Sequence, residues 1–213
     1  MSYRIKEIFY SLQGEGYYTG RPAVFCRFAG CNLWSGKEAD RKKSVCQFCD
    51  TDFTGTDGTL GGIYATARQL AEEIARLWPE KKNQSVRPYV VCTGGEPLLQ
   101  LDAELIAALH SLGMEIAVET NGTLKAPPEI DWLCVSPKAR TAFVQNCGSE
   151  LKLIYPQAGA EPENFIDLDF HHFFLQPLDD VRKPENVRLA CEYVLAHPRW
   201  RLSLQSHKIL NIR

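Results

Sequence analysis

Apolar, mostly β-branched runs alternate along the chain with stretches of helical period. Runs at Pro22–Ala29, Arg87–Thr93, Glu115–Thr120, Trp132–Ser136, Glu150–Tyr155, Phe173–Gln176 and Trp200–Gln205 read as strands. Helical spacing marks Thr66–Trp78, where Leu70, Ile74 and Leu77 share a face, and recurs over Leu101–Leu112 and Glu185–Ala196. The order strand–helix–strand predicts parallel pairing through crossovers. Not every crossover is helical, because Gly122 and the Pro127–Pro128 pair disfavour a helix after Thr120. A full eight-fold α/β barrel takes about 250 residues, and this chain has 213. The expected fold is therefore α/β, an incomplete TIM-like barrel of about six parallel strands with about three helices. One domain spans residues 1–213, and a doubly wound open sheet is the alternative architecture.

Polar residues collect where the predicted strands end. "CTGGEP", "ETNG", "SPK" and "QP" each follow a strand. In parallel α/β folds, sites form at the carboxyl ends of strands. Four such ends in register predict one shared site.

Charge and composition narrow the function class. The formal net charge is −2, so the sequence gives no basic footprint for nucleic acid or an anionic membrane. The start, "MSYRIKEIFY", holds no long apolar run. No stretch reaches the roughly 18 apolar residues of a membrane-spanning helix. A soluble, cytoplasmic protein is expected. Its eight cysteines then argue against a disulfide framework. Cys26, Cys92 and Cys134 sit in strand runs and read as small buried hydrophobes, while Cys147 and Cys191 are scattered.

Cys31, Cys46 and Cys49 are different. They have the spacing C-x14-C-x2-C around a charged loop. Structural zinc wants four ligands, and the first histidine is the distant His110. A redox C-x-x-C pair would leave Cys31 unexplained. A [4Fe–4S] cluster usually takes four cysteines; held by three, it keeps one iron open for a small molecule. All three readings stand on the spacing alone.

The cysteine loop, with Phe48 before its last cysteine, resembles the cluster loop of the radical S-adenosylmethionine superfamily, with its first gap expanded by eleven residues. "TGGEP" at Thr93–Pro97 resembles that superfamily's Gly-Gly-Glu motif. The match narrows with "SLQGEG" (Ser11–Gly16), "FCRFAGCNLW" (Phe25–Trp34), "CDT" (Cys49–Thr51), "ETNG" (Glu119–Gly122), "VSPK" (Val135–Lys138), "LQP" (Leu175–Pro177) and the ending "LSLQSHKILNIR". Together these resemble the 7-carboxy-7-deazaguanine synthase family over essentially the whole chain.

The resemblance implies conversion of 6-carboxy-5,6,7,8-tetrahydropterin to 7-carboxy-7-deazaguanine and ammonia, on the route to queuosine and other deazapurines. It implies hydrogen abstraction from substrate C6, ring contraction, and a cofactor that is regenerated. Cys31, Cys46 and Cys49 would hold the [4Fe–4S] cluster. S-adenosylmethionine would meet Phe48, Gly94, Gly95, Glu96, Ser136, Pro137, Lys138, Gln176, Pro177, Leu178 and Asp179. Mg2+ would take the Thr51 hydroxyl, a hard oxygen ligand. The pterin would meet Leu12, Gln13, Gly14, Glu15, Arg27, Thr93, Glu119, Asn121, His207 and the C-terminal carboxylate of Arg213. The ending "NIR" departs from the family pattern and leaves the Arg213 side chain without an assigned role. Arg27 suits a carboxylate and Glu119 or Glu15 an aminopyrimidinone edge. Implied partners are an electron donor such as flavodoxin or ferredoxin and a second copy in a homodimer. Rival functions are a glycyl-radical activating enzyme and a non-catalytic zinc-binding module. His171 and His172 read as structural, and the Asn32–Val45 insert has no assigned job.

Overall fold

The computed structural model describes residues 2–79 and 86–213. One nine-stranded sheet organises them. Its strands are β1 (Tyr3–Leu12), β2 (Pro22–Phe28), β3 (Gly62–Tyr64), β4 (Tyr89–Gly94), β5 (Glu115–Thr120), β6 (Trp132–Val135), β7 (Cys147–Tyr155), β8 (Asp169–Pro177) and β9 (Trp200–Leu202). The spatial order is β3-β1-β2-β4-β5-β6-β7-β8-β9. From β2 through β9 every neighbouring pair is parallel, which makes seven parallel strands where about six were expected. β1 runs antiparallel to both β2 and β3. The sheet is not closed, as an incomplete barrel requires.

β1 escaped the sequence pattern for a physical reason. Its register shifts between Ile5 and Glu7, and a bulge reverses which residues face which side. Tyr3, Ile5 and Ile8 thus share one apolar layer, while Phe9 joins the other. Simple alternation would place Ile5 and Phe9 together.

The helices are α1 (Ala67–Arg76), α2 (Ala103–Ser111), α3 (Lys183–Ala196) and the short α4 (Ser206–Leu210). α1 starts where the Thr66 side chain accepts the Gln69 N–H, and α2 where Asp102 accepts the Leu105 N–H. Asp102 also accepts the Tyr3 hydroxyl at 2.7 Å, tying α2 to β1. Leu70 and Ile74 of α1 and Leu105 and Leu109 of α2 enter the same core as Ile116, Val118, Leu151 and Leu153, with Tyr193 and Val194 of α3 packed against it. The three longer helices therefore cover one face of the sheet. A doubly wound fold would need helices on both faces, so that alternative is corrected.

The opposite face lines the barrel interior. Phe9, Ala23, Phe25, Tyr89, Val91 and Ala117 fill it with a smaller apolar cluster, Phe9 stacking on Phe25 at 5.2 Å. Further along the strands the same face turns polar. Arg27 stands opposite Thr93 in the β2–β4 register, and Glu119 opposite Cys134 in the β5–β6 register.

Candidate active site

The carboxyl ends of the parallel strands open into a cavity of about 370 Å3. All ten predicted substrate residues border it: Leu12, Gln13, Gly14, Glu15, Arg27, Thr93, Glu119, Asn121, His207 and Arg213. So do Cys31, Cys46, Cys49 and Thr51, and so do Phe48, Gly94, Gly95, Ser136, Lys138, Gln176, Pro177, Leu178 and Asp179. Glu96 and Pro137 do not. The chain thus brings its four strand-end motifs and its cysteine loop to one place.

One end of the cavity is a web of charge. The Glu119 carboxylate accepts from Thr93 Oγ1 at 2.8 Å and from Gln13 Nε2 at 3.2 Å. Lys152 of β7 lies between Glu119, at 3.8 Å, and Glu15, to which it donates a short hydrogen bond. Burial works against the Lys152 charge, but the two carboxylates outweigh it and hold its pKa well above the usual lysine range. Burial likewise opposes ionised Glu15, and Lys152 reverses that, so its pKa lies below the usual value. Glu150, two residues earlier on the same face, accepts the Tyr17 N–H at 2.8 Å, and burial pushes its pKa up. Arg27 is held through Nε by Glu7 at 2.9 Å, and Glu7 also receives the Arg213 guanidinium at 2.5 Å. Arg27 is therefore ion-paired as well as bordering the cavity.

The other end carries the thiols. Cys46 and Cys49 are in hydrogen-bond contact, which pulls the Cys49 thiol down to about 6 and pushes Cys46 up. Burial raises the Cys31 thiol, which lies nearer the end of β2 and accepts the Leu33 N–H at 3.4 Å. Lys138 is buried beside them, with its ammonium on Ser136 O and Oγ at 2.6 and 2.8 Å; burial lowers its pKa. Among the described residues no three His, Cys, Asp or Glu side chains form a group that could hold a single metal ion. Thiolates on a cluster bind separate irons and need not converge on one point. Three thiols bordering one cavity without converging on one point form a donor set that fits a [4Fe–4S] cluster better than a mononuclear zinc.

The two glycines of the "TGGEP" loop also serve the packing of the chain itself. A Cβ on Gly94, at φ +127°, would meet Phe28 O at 2.3 Å, and one on Gly95 would meet Gly30 O at 1.9 Å. It is the chain's own backbone that needs the space, because this loop packs on the segment carrying Cys31. Gly95 N and Glu96 N donate to Phe28 O and Gly30 O at 3.2 and 2.9 Å. Glu96, fully buried, accepts from Leu98 N, Thr120 Oγ1 and Asn121 N at 2.8–3.0 Å. It joins the ends of β4 and β5 from behind the cavity wall. Asn121 in turn donates to Asn32 and accepts from Thr123, so its amide braces the cysteine loop.

The C-terminal segment roofs the site. His207 sits where a Gly14 Cβ would be, 2.2 Å from its Nδ1. Gln205 bridges Glu15 and Asp50 at 3.1 and 3.0 Å, and Lys208 reaches both Asp50 and Asp179 at 2.5 Å. Ser11 donates to Arg213 O at 2.7 Å. Sequence reasoning missed Lys152, Glu150, Glu7, Gln205 and Lys208. The alternation in "ELKLI" was the available signal for Lys152, since it places the lysine on the face opposite Leu151 and Leu153. Cys134, expected as a buried hydrophobe, is buried and also borders the cavity.

A curated 7-carboxy-7-deazaguanine synthase from Bradyrhizobium diazoefficiens is 60% identical over 213 residues and matches 100% of both chains. The chain belongs to the 7-carboxy-7-deazaguanine synthase family. Its relative from Caulobacter vibrioides is 57% identical, again over 100% of each chain. The crystal structure of QueE from Escherichia coli superposes with a TM-score of 0.72 at 29% identity, covering 97% of this chain and 95% of that one. No model of a protein family matches the chain. Membership in the synthase family displaces the glycyl-radical activating enzyme and the zinc-binding module as readings of the cysteine loop.

Proposed function

We propose that this chain is a carbon–nitrogen lyase that converts 6-carboxy-5,6,7,8-tetrahydropterin to 7-carboxy-7-deazaguanine and ammonia, in the biosynthesis of queuosine and related deazapurines. The observation that carries the reading is the full-length likeness to synthases so named, joined to one cavity bordered by both the thiols and the charged web. When bound, the cluster and S-adenosylmethionine would supply radical hydrogen-transfer chemistry to the substrate. Cys31, Cys46 and Cys49 ligate the cluster. Phe48, Gly94, Gly95, Ser136, Lys138, Gln176, Pro177, Leu178 and Asp179 form the S-adenosylmethionine pocket, and Glu96 and Pro137 support it from behind. Thr51 offers its hydroxyl to Mg2+, which favours oxygen ligands.

The protein's own part is to bind, orient and exclude water. Glu119, fixed by Thr93 and Gln13, accepts from the aminopyrimidinone N–H groups. Arg27, held at Nε by Glu7, turns its remaining N–H groups to the substrate carboxylate. Leu12, Gly14, Glu15, Asn121, His207 and the Arg213 carboxylate complete the pterin pocket. A flavodoxin or ferredoxin supplies the electron. The enzyme works as a homodimer of single-domain chains in the cytoplasm. Among the described residues no helix is long and apolar enough to cross a membrane.

The test is anaerobic. Protein reconstituted with iron and sulfide receives dithionite, Mg2+, S-adenosylmethionine and the pterin, and products are followed by mass spectrometry. We expect many turnovers of 7-carboxy-7-deazaguanine per S-adenosylmethionine, and none from Cys31→Ala. Cofactor cleavage with the pterin left intact would keep the superfamily and refute the substrate. A colourless protein that holds zinc would refute the cluster.

A further inference from the structure

Lys152 is a buried ammonium that the reading above does not use. Its side chain is 6% exposed, yet it borders the cavity. An ammonium has three N–H donors. Among the described residues one of them is taken, by Glu15, and Glu119 at 3.8 Å lies beyond hydrogen-bond reach. Buried donors are costly to leave unmade. The Lys152 ammonium therefore has capacity for an acceptor arriving in the cavity, and Glu15 and Glu119 keep it charged.

What would supply that acceptor follows from the neighbours. Glu119 presents carboxylate oxygens, already oriented by Thr93 and Gln13, to a donor-rich edge. Lys152 presents a donor next to it. Acceptor and donor side by side match an edge that carries N–H groups beside a carbonyl, which is the 2-amino-4-oxo edge of a pterin. We propose that Lys152 is a specificity-determining residue that donates to the 4-oxo oxygen of the substrate while Glu119 takes the adjoining N–H groups. This rests on the pterin reading given above. The consequence is discrimination by a charged donor: a site built to bond an oxygen rejects an analogue lacking it more strongly than a merely shaped pocket does.

The test is equilibrium dialysis under anaerobic conditions, with cluster-loaded protein and S-adenosylmethionine. The probes are 6-carboxypterin and its 4-thioxo analogue, which keeps the N–H groups and replaces the oxygen with sulfur, a poor acceptor. Wild type is expected to prefer the oxo compound by about tenfold or more, the worth of a hydrogen bond to a charged group. In Lys152→Met the preference falls to within about twofold, while Lys152→Gln, which retains an N–H donor, falls between. A lysine that served only to pair Glu15 would weaken both probes equally and leave the ratio unchanged. Should Lys152→Met fail to fold, the Glu15→Gln/Lys152→Met double variant removes both partners of the ion pair, and the ratio is read there. A wild-type ratio in the variants overturns the proposal and leaves the pterin reading standing. Wild type that binds neither pterin overturns both.

Discussion

Leu151 and Leu153 of β7 face the apolar layer under the helices, whereas Glu150 and Lys152, their neighbours in sequence, face the barrel interior. All four are buried. The same holds along β4, where Val90 and Cys92 enter the helix-facing core while Val91 and Thr93 face inward. One face gains free energy from area removed from water, about 25 cal/mol per Å2. The other takes on groups that burial disfavours and makes them tolerable only through partners. The comparison teaches that burial alone does not separate core from site in this sheet; the kind of partner does.

The largest effect that would test this contrast lies on the helix-facing side. Leu153→Ala leaves a cavity in a fully buried layer, and should cost about 2–5 kcal/mol in urea unfolding. Activity per folded molecule should stay within about twofold, because Leu153 does not border the cavity. A loss under about 1 kcal/mol would mean the two faces are not as different as described.

Glu96 gives a sharper, intermediate test, since it is buried but borders neither the cavity nor the apolar layer. Glu96→Gln keeps one acceptor oxygen and sets an NH2 against the Asn121 N–H that the second oxygen now accepts. Two facing donors in a buried site should cost about 1–3 kcal/mol. Activity should fall with stability, because the same carboxylate holds the strand end beside Cys31. Full activity in a destabilised Glu96→Gln protein would separate the brace from the site.

The smallest effect belongs to the exposed roof. Lys208 joins Asp50 and Asp179, but all three are partly solvated, so Lys208→Met should cost under about 1 kcal/mol. Burial raises the Asp50 pKa, and Lys208 together with Gln205 more than reverses it; for Asp179 the Lys208 hydrogen bond is the leading cause of the lowering. Both carboxylates thus sit below their ordinary value of 3.8. Their contribution is complete above that value and lost as the pH falls through the lower folded values. The stability gap between wild type and Lys208→Met, read by urea unfolding across pH, should therefore be flat near neutrality and close in acid. A gap that widens in acid would contradict the pairing.

Much of this was legible from the chain. Seven strand runs and three helical stretches were visible because their periods are clean, and β5 (Glu115–Thr120) matches its expected bounds to the residue. β1 was hidden by its bulge, and three-residue β3 is too short to show a period. The thiols and strand-end motifs were legible through their spacing and family likeness. Lys152 and Lys208 were not, because their meaning lies in partners over a hundred residues away or across the roof, at sequence separations of 137 and 158. For Gly94 and Gly95 the sequence does not show that the segment carrying Cys31 packs against them, because a missing side chain does not say which neighbour uses the space.

The roof has a consequence for how the molecule is assembled during translation. Gln205 and Lys208 meet Asp50 and Glu15 only after almost every other element has been made. Until those residues arrive, the Asp50 and Glu15 carboxylates lack these partners. Closing the roof thus depends on contacts across 155 to 190 residues of chain, whose loop-closure entropy must be met before the contacts stabilise anything.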